Sequence, residues 1–224
     1  GVYELLERFV QAFPDILFEG CSGGGGRFDA AMMYYYPQIW CSDDTDAIPR
    51  LAIHHGTSFG YPVSTIGAHV SASPNHQTGR ITSINTRAVV AMHGTFGYEL
   101  DPAKLTEDEK KRVRAQIGYF KEHYDLIQYG IYYRLTNIRD HYYEAWEQAA
   151  KNKEEALLSI VVTDTPSNAR LIHVKLKGLD PELDYTMQIK TDLDEKILGM
   201  PDFPGSHASS EAAKMPLALR VIVG

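Results

Sequence analysis

The chain has 224 residues, with 29 acidic and 22 basic side chains and a net charge of −7 at neutral pH. This length suits one large domain or two small ones, and an apolar fraction of 44% is enough to form buried cores. The acidic balance and the lack of a basic stripe argue against a nucleic-acid partner, and no apolar run reaches the 18 residues that would predict a membrane span.

The N-terminal residues suggest a longer parent polypeptide, and the cysteines suggest a cellular compartment. Residues 1–9 favour a helix that is already under way, without an initiator methionine or a signal peptide, so we expect a piece of a longer polypeptide. Cys21 and Cys41 are too few for a disulfide framework and favour two reduced thiols in a cytoplasmic protein.

The first 130 residues alternate short apolar runs with helical segments. Helices are predicted over residues 28–36 and 46–55, the second with Pro49 in its first turn. Four runs are predicted to be strands: 15–18, 38–41, 64–70 and 88–92. Because each run is followed by polar or glycine-rich residues, the pattern predicts a parallel sheet with crossover helices.

The strongest helix signal covers residues 106–129. Thr106 and Glu109 have the spacing of a capping box, and Gly130 is placed to end the helix. One apolar stripe is predicted from steps of three and four residues: Val113, Ile117, Phe120, Tyr124 and Ile127.

After Gly130 the apolar period changes to two, which is typical of antiparallel strands. The alternation is clearest over residues 172–177, 185–189 and 217–221. The sequence therefore predicts an α/β region at 1–130 followed by a small all-β domain at 131–224.

A glycine-rich segment follows the first predicted strand, with four consecutive glycines after Cys21 and Ser22. Glycines let the backbone approach a ligand closely. No Gly-Lys-Ser/Thr follows, and no acidic residue ends a suitable next strand, so phosphate-loop and dinucleotide-binding interpretations are both poor. Without other information, a simple flexible turn explains this segment equally well.

The second predicted strand is followed by Trp40-Cys41-Ser42-Asp43-Asp44-Thr45-Asp46. Three carboxylates within four residues are costly in a core, and ligands bind at this end of a strand in parallel α/β folds. Helix capping is the favoured interpretation of Asp44 and Asp46, whereas Asp43 belongs to the strand tip. Calcium binding would need more widely spaced oxygens and a glycine turn.

Four sequence blocks, in the same order, resemble glycoside hydrolase family 36. They are residues 18–29, with the pattern Cys-x-x-Gly-x-Gly-Arg-x-Asp, and residues 33–47, 69–80 and 94–101. The resemblance implies the second half of a (β/α)8 barrel, strands five to eight, followed by a sandwich-like β-domain. It also implies oligomeric full-length relatives, often tetramers, and neither a cofactor nor a metal.

The same resemblance implies roles for individual residues. Asp43 corresponds to the catalytic acid/base, while the nucleophile belongs to a Lys-Trp-Asp motif that we expect upstream of this chain. Cys21 would contact a galactose hydroxyl, and Gly24 would let the backbone approach the sugar ring. Arg27 and Asp29 are expected to pair with each other or with neighbours and hold the loop.

The role of Trp40 is undecided, and metal binding by two adjacent histidines is unfavourable. Trp40 is expected either to wall the pocket or to pack in the core. His54 and His55 are adjacent on a predicted helix and do not share a face, which argues against a metal.

The resemblance predicts an α-galactosidase that acts on melibiose- or raffinose-like oligosaccharides. An α-N-acetylgalactosaminidase is the alternative within the same class, and Cys21 favours galactose because selectivity at the sugar 2-position is set near it. An inactive carbohydrate-binding or structural fragment is the alternative outside enzymes.

Overall fold

A computed structural model describes residues 1–137, 142–164, 167, 172–190 and 217–223. In this part of the chain the helical segments are α1 (Val2–Ala12), α2 (Ser22–Gly25), α3 (Ala30–Tyr35), α4 (Ala47–Thr57), α5 (Ile84–Ala91), α6 (Glu107–Glu122) and α7 (Tyr124–Tyr129). The strands are β1 (Glu19–Gly20), β2 (Gln38–Ile39), β3 (Gly67–Ser71), β4 (Thr95–Glu99), β5 (Ile131–Arg134), β6 (Tyr143–Ala149), β7 (Glu155–Val162), β8 (Tyr185–Lys190) and β9 (Leu217–Val223). No helix among these residues is long and apolar enough to cross a bilayer.

The first four strands are parallel, as the sequence predicts. β1 pairs with β2, and β3 pairs with β4 over five residues. An isolated parallel bridge between Ile39 and Ile66 links the two pairs, so the strands follow one another in space in chain order. Their carboxyl ends therefore lie along one edge, where the loops that carry Cys21 and Asp43 begin.

The strand predicted at residues 88–92 is wrong, because this run lies within and just after helix α5. Ser83 caps the helix by accepting a hydrogen bond from the backbone nitrogen of Thr86, and the whole run is buried. A short, fully buried apolar run has the same pattern in a strand and in a core helix. The fourth strand is β4, inside the block at 94–101. The first strand also shifts, from residues 15–18 to β1, because a turn at residues 14–15 comes first.

The predicted helix over 106–129 forms as two helices that meet at His123, whose φ of −107° and ψ of 17° interrupt α6 and α7. The capping box of Thr106 and Glu109 is confirmed. The predicted stripe is partly wrong, because Ile117 and Tyr124 are exposed. The residues of this segment that are buried are Gln116, Tyr119, His123, Leu126 and Ile127.

The remaining strands form an antiparallel sheet in the order β5-β6-β7-β9-β8, which confirms the antiparallel prediction. Residues 172–176 show the predicted alternation of half-buried and exposed side chains, but the segment is not part of a strand. It lies against the sheet through its apolar residues Ile172, Val174 and Leu176.

The antiparallel sheet shares its core with the α/β region. Leu51 of α4, Ala88 of α5 and Ile127 of α7 belong to the same buried cluster as Trp146 and Leu157 of the sheet. The change from parallel to antiparallel strands falls at residues 130–131, and the contact there is a continuous apolar interface.

A buried hydrogen bond between side chains also crosses this interface. His55 Nδ1 of α4 lies 2.6 Å from Glu144 Oε1 of β6, and Thr136 donates a hydrogen bond to the other carboxylate oxygen at 2.9 Å. Removing either side chain would leave a buried polar atom of the other without this hydrogen bond, which is costly. The sheet is therefore anchored to the helix that follows Asp43.

Candidate functional site

The glycine-rich segment after β1 is a left-handed turn. Ser22, Gly23, Gly24 and Gly25 have φ values of 57°, 68°, 74° and 89°, and the backbone nitrogen of Gly25 donates to Cys21 O at 2.9 Å. L-residues avoid this region because Cβ approaches the carbonyl oxygen, which explains the glycines. The turn lies directly against the loop after β2, since a Cβ on Gly25 would come within 2.9 Å of Cys41 O.

The three residues predicted from the family resemblance converge at the carboxyl ends of β1 and β2. Cys21 Sγ lies 4.0 Å from Asp43 Oδ1, and both residues are exposed. Gly24 lies against Asp43, because a Cβ there would be 2.9 Å from its backbone nitrogen. The Asp43 carboxyl and the Cys21 thiol therefore lie side by side and are exposed to solvent. The adjacent backbone at Gly24 contributes no side chain.

Side chains hold the backbone of the Asp43 loop. Arg50 Nη1 donates to the carbonyl oxygens of Ser42 at 2.9 Å and Asp44 at 3.4 Å. Gln77 Nε2 donates to Asp43 O at 2.8 Å, and Ser71 Oγ donates to Thr45 O at 2.7 Å. Each backbone carbonyl group of residues 42–45 therefore accepts a hydrogen bond from a side chain.

Asp44 and Asp46 are structural, and the capping interpretation is confirmed for Asp46. Asp46 is buried and accepts hydrogen bonds from Ile48 N at 3.1 Å, Thr78 Oγ1 at 2.7 Å and Arg80 Nε at 2.8 Å. Burial of Asp46 raises its pKa, but these bonds and the Arg80 charge outweigh burial, so the pKa lies below its usual value. Asp44 Oδ1 accepts from Asp46 N at 2.9 Å.

Trp40 packs in the core beneath this edge. The residue is 9% exposed, and its ring contacts the Arg50 guanidinium, 4.2 Å from the ring centroid, and stacks on the His69 ring at a centroid distance of 4.7 Å. His69 Nδ1 in turn lies 3.8 Å from Glu99 Oε2. Stacking on an aromatic face suits a planar arginine. Of the two interpretations of Trp40, core packing agrees with this burial.

Arg27 and Asp29 do not pair with each other, but Asp29 accepts hydrogen bonds from the neighbouring Tyr3 and Met32. Asp29 holds the loop, because its carboxylate caps α3 by accepting from Met32 N at 2.9 Å. Arg27 is exposed and forms no ion pair with any carboxylate that the structure describes.

His54 and His55 are both buried and have different partners. His54 Nε2 accepts a hydrogen bond from Arg50 Nε at 3.1 Å, whereas His55 pairs with Glu144. Burial, His93 and Arg50 together hold the pKa of His54 well below its ordinary value. Within the described ranges, no group of three or more His, Cys, Asp or Glu side chains is arranged to hold a metal ion.

Arg50 and Gln77 are the site residues that sequence reasoning missed. The signal for Arg50 is a lone charge inside the apolar run Ala-Ile-Pro-Arg-Leu-Ala-Ile of α4. Gln77 belongs to the polar loop after β3, at the same edge of the sheet as Asp43. Neither signal specifies a hydrogen-bond partner.

The comparison with protein families assigns the α/β region to one family. The melibiase model matches residues 1–130, more than half of the chain, so the chain belongs to the melibiase family. This finding agrees with the resemblance of the four sequence blocks.

Curated relatives are α-galactosidases. The chain is 54% identical over 185 residues to the bifunctional α-galactosidase/sucrose kinase AgaSK of Mediterraneibacter gnavus. This match covers 83% of the chain and 20% of that protein. It is 48% identical over 188 residues to the α-galactosidase AgaA of Geobacillus stearothermophilus, which covers 84% of the chain and 26% of the relative. The chain thus spans about a quarter or less of these two proteins.

Solved structures show the same relationship. A substituted form of G. stearothermophilus AgaA, a family 36 α-galactosidase, in complex with 1-deoxygalactonojirimycin superposes with a TM-score of 0.88 at 41% identity. The match covers 100% of this chain and 31% of that one. The galactosidase domain of AgaSK gives a TM-score of 0.85 at 44% identity and covers 99% and 31% of the two chains.

Proposed function

We propose that the protein containing this chain is a retaining α-galactosidase, which hydrolyses terminal non-reducing α-D-galactosyl residues of oligosaccharides, with Asp43 as the general acid/base. The observation that carries the proposal is the exposed Asp43 carboxyl at the strand ends, beside Cys21 and packed against Gly24. Substituted forms of the AgaA relative bind raffinose and stachyose, which supports oligosaccharides such as raffinose and melibiose as substrates.

Retention requires two carboxyl groups roughly 5 Å apart, one as nucleophile and one as acid/base. Asp43 would protonate the departing glycosidic oxygen and then deprotonate the water that hydrolyses the glycosyl-enzyme. The neighbouring Asp44 and Asp46 are engaged in the loop and the helix cap, so neither is free to attack. The chain contains no Lys-Trp-Asp motif, and we place the nucleophile in another part of the complete protein.

This proposal assigns an architecture to the complete protein. Residues 1–130 would form strands five to eight of a (β/α)8 barrel, and residues 131–224 would form a C-terminal β-sandwich domain. Four parallel strands in chain order, each separated from the next by helical residues, support the barrel assignment. By the same family reasoning the complete protein is a homo-oligomer, which light scattering would test. Free thiols at Cys21 and Cys41 support a cytoplasmic location.

Cys21 and Gly24 are proposed to bind the galactose. The thiol lies 4.0 Å from the acid/base carboxyl, close enough for one sugar to contact both groups. An α-N-acetylgalactosaminidase is the alternative, and competition between the two aryl glycosides would decide it. We expect galactose to be preferred because Cys21 occupies the position associated with the sugar 2-substituent.

The test is Asp43→Asn in the complete protein, with kcat/KM measured for melibiose and for an aryl α-galactoside with a good leaving group. Melibiose needs proton donation to its leaving oxygen, and general acid catalysis contributes about 10² to 10⁴ in rate. We expect melibiose hydrolysis to fall by that order and the aryl substrate to be cleaved much better. Normal hydrolysis of melibiose by Asp43→Asn would show that the assignment is wrong.

A further inference from the structure

Asp43 lies in a loop that no regular backbone ladder stabilises, between β2 and α4. Regular elements fix a side chain better than loops do, and a catalytic group must be held near its productive geometry. Here side-chain donors take over that function, because the carbonyl groups of Ser42, Asp43 and Asp44 each accept a hydrogen bond from Arg50 or Gln77.

Arg50 approaches the loop from beneath. It is 3% exposed, and its Nη1 donates to the carbonyls immediately before and after Asp43. Its Nη2 donates to Gly67 O of the adjacent strand, and its Nε donates to His54 Nε2 at 3.1 Å. Because the pKa of His54 is strongly lowered by burial, the imidazole is neutral near pH 7 and can accept this bond. The guanidinium is thus fixed at each of its three nitrogens.

Gln77 approaches the same loop from the solvent side. Its Nε2 donates to Asp43 O at 2.8 Å, while its Oε1 accepts from Thr45 N at 2.9 Å and Thr45 Oγ1 at 3.2 Å. One amide therefore pairs with a donor and an acceptor two residues apart. Asn75 supports the same site by donating to Thr45 Oγ1 at 2.9 Å.

We propose that Arg50 and Gln77 are positioning residues for Asp43, which clamp the backbone at residues 42–44 so that the carboxyl stays within proton-transfer distance of the leaving oxygen. The inference rests on the proposed function of Asp43. Proton transfer is steep in distance, and a displacement of about 1 Å can cost roughly 100-fold in rate. Substrates that need no proton are much less sensitive.

The first test is Gln77→Glu in the complete protein. The new carboxylate keeps an acceptor for Thr45 but has no donor for Asp43 O, so the bond to the catalytic residue is replaced by a contact between two oxygens, and a negative charge is added nearby. Because Gln77 is exposed, the variant is expected to fold. We expect kcat/KM for melibiose to fall about 10- to 100-fold, and for an aryl α-galactoside less than about 3-fold. Gln77→Ala, which loses all three side-chain hydrogen bonds and adds no charge, should shift the ratio of the two substrates in the same direction.

The second test compares Arg50→Lys with Arg87→Lys. Arg87 is also buried and donates to backbone carbonyls, those of Ser71 and Thr82, but not to residues 42–44. In both variants lysine keeps the positive charge but lacks the planar guanidinium with its several N–H donors. We expect both to lower the melting temperature and only Arg50→Lys to lower the melibiose-to-aryl ratio of kcat/KM.

If Arg50→Lys does not fold, the two Gln77 variants decide the question. The proposal is overturned if Gln77→Glu and Gln77→Ala change both substrates equally or not at all, or if Arg87→Lys shifts the ratio as much as Arg50→Lys. Asp43→Asn, measured in parallel, separates failure of the proposed function from failure of the positioning proposal. A fully active Asp43→Asn refutes the proposed function, whereas a defective Asp43→Asn with unchanged ratios in the other variants refutes only the clamp.

Discussion

A Cβ atom on Gly24 would lie 2.9 Å from the backbone nitrogen of Asp43 and 3.2 Å from its carboxyl carbon. The absence of a side chain at Gly24 is therefore a condition for the observed position of Asp43. Gly23, one residue earlier, has nearly the same φ, 68° against 74°, yet nothing lies within 4 Å of its Cβ position.

This difference predicts that Gly24→Ala damages catalysis far more than Gly23→Ala. Both variants carry the strain of an L-residue in the left-handed region, about 1 kcal/mol. Only Gly24→Ala also displaces Asp43, so we expect its kcat/KM for melibiose to be at least about 10-fold below that of Gly23→Ala. Equal kinetics for the two variants would contradict the close packing of Gly24 on Asp43.

Cys21→Ala is expected to weaken galactoside binding without unfolding the protein, because the thiol is exposed and lies beside the Asp43 carboxyl. Loss of one neutral hydrogen bond costs about 1 kcal/mol, roughly a fivefold rise in the inhibition constant of galactose. Cys21→Ser keeps a hydrogen-bond donor, so its inhibition constant for galactose should lie between those of the wild type and Cys21→Ala. An unchanged inhibition constant in both variants, at an unchanged melting temperature, would remove Cys21 from the binding site.

The buried His93 predicts a loss of stability in mild acid. Its ring is stacked between Tyr132 and Trp146, and burial, His55 and Arg50 lower its pKa to about 3. Below the unfolded value near 6.5 the unfolded chain binds a proton that the folded chain cannot, so stability decreases as the pH falls. At pH 5 this linkage amounts to about 2 kcal/mol.

His93→Phe should therefore reduce the difference between the melting temperatures at pH 7 and pH 5. Phenylalanine keeps the stacking and removes the two ring nitrogens, which have no hydrogen-bond partner among the described residues. His76→Phe, at an exposed position, is the control and should leave the difference unchanged. Identical pH dependence in wild type and His93→Phe would exclude this role.

A polypeptide restricted to residues 1–224 should hydrolyse no aryl α-galactoside. The proposed mechanism needs a second carboxylate as nucleophile, and α1 exposes more than 40% of each of Tyr3, Leu5 and Phe9, which favours association over a stable isolated fold. The assay compares purified 1–224 with the complete protein. Turnover by 1–224 that survives removal of host enzymes would mean that one of its own carboxylates is the nucleophile.

Local signals in the sequence predicted many elements correctly, and tertiary packing decided the others. The capping role of Asp46 and the capping box at Thr106 depend on neighbours a few residues away, and both predictions are confirmed. Residues 88–91 lie in α5 and are fully buried, and a fully buried apolar run has the same pattern in a helix as in a strand. The strands predicted at 185–189 and 217–221 are confirmed as antiparallel, whereas residues 172–177 lie outside the strands.

The candidate site divides in the same way. The resemblance of four blocks indicated Asp43, Cys21 and Gly24, and the structure brings all three together. Arg50 and Gln77 could not be predicted, because their hydrogen bonds to residues 42–44 go to backbone carbonyl groups, and no residue type marks a carbonyl group as an acceptor. Arg27, prominent in the glycine-rich motif, remains exposed, while Asp29 caps α3.

The most direct test of the role of Asp43 is azide rescue of Asp43→Ala in the complete protein, with an aryl α-galactoside as substrate. Without its acid/base the enzyme still forms the galactosyl intermediate from an activated substrate, and azide then attacks it without needing a general base. Double displacement predicts α-galactosyl azide as the product, identified by the coupling of the anomeric proton. β-Galactosyl azide would contradict the account, because a single inverting displacement would mean that Asp43 is the nucleophile.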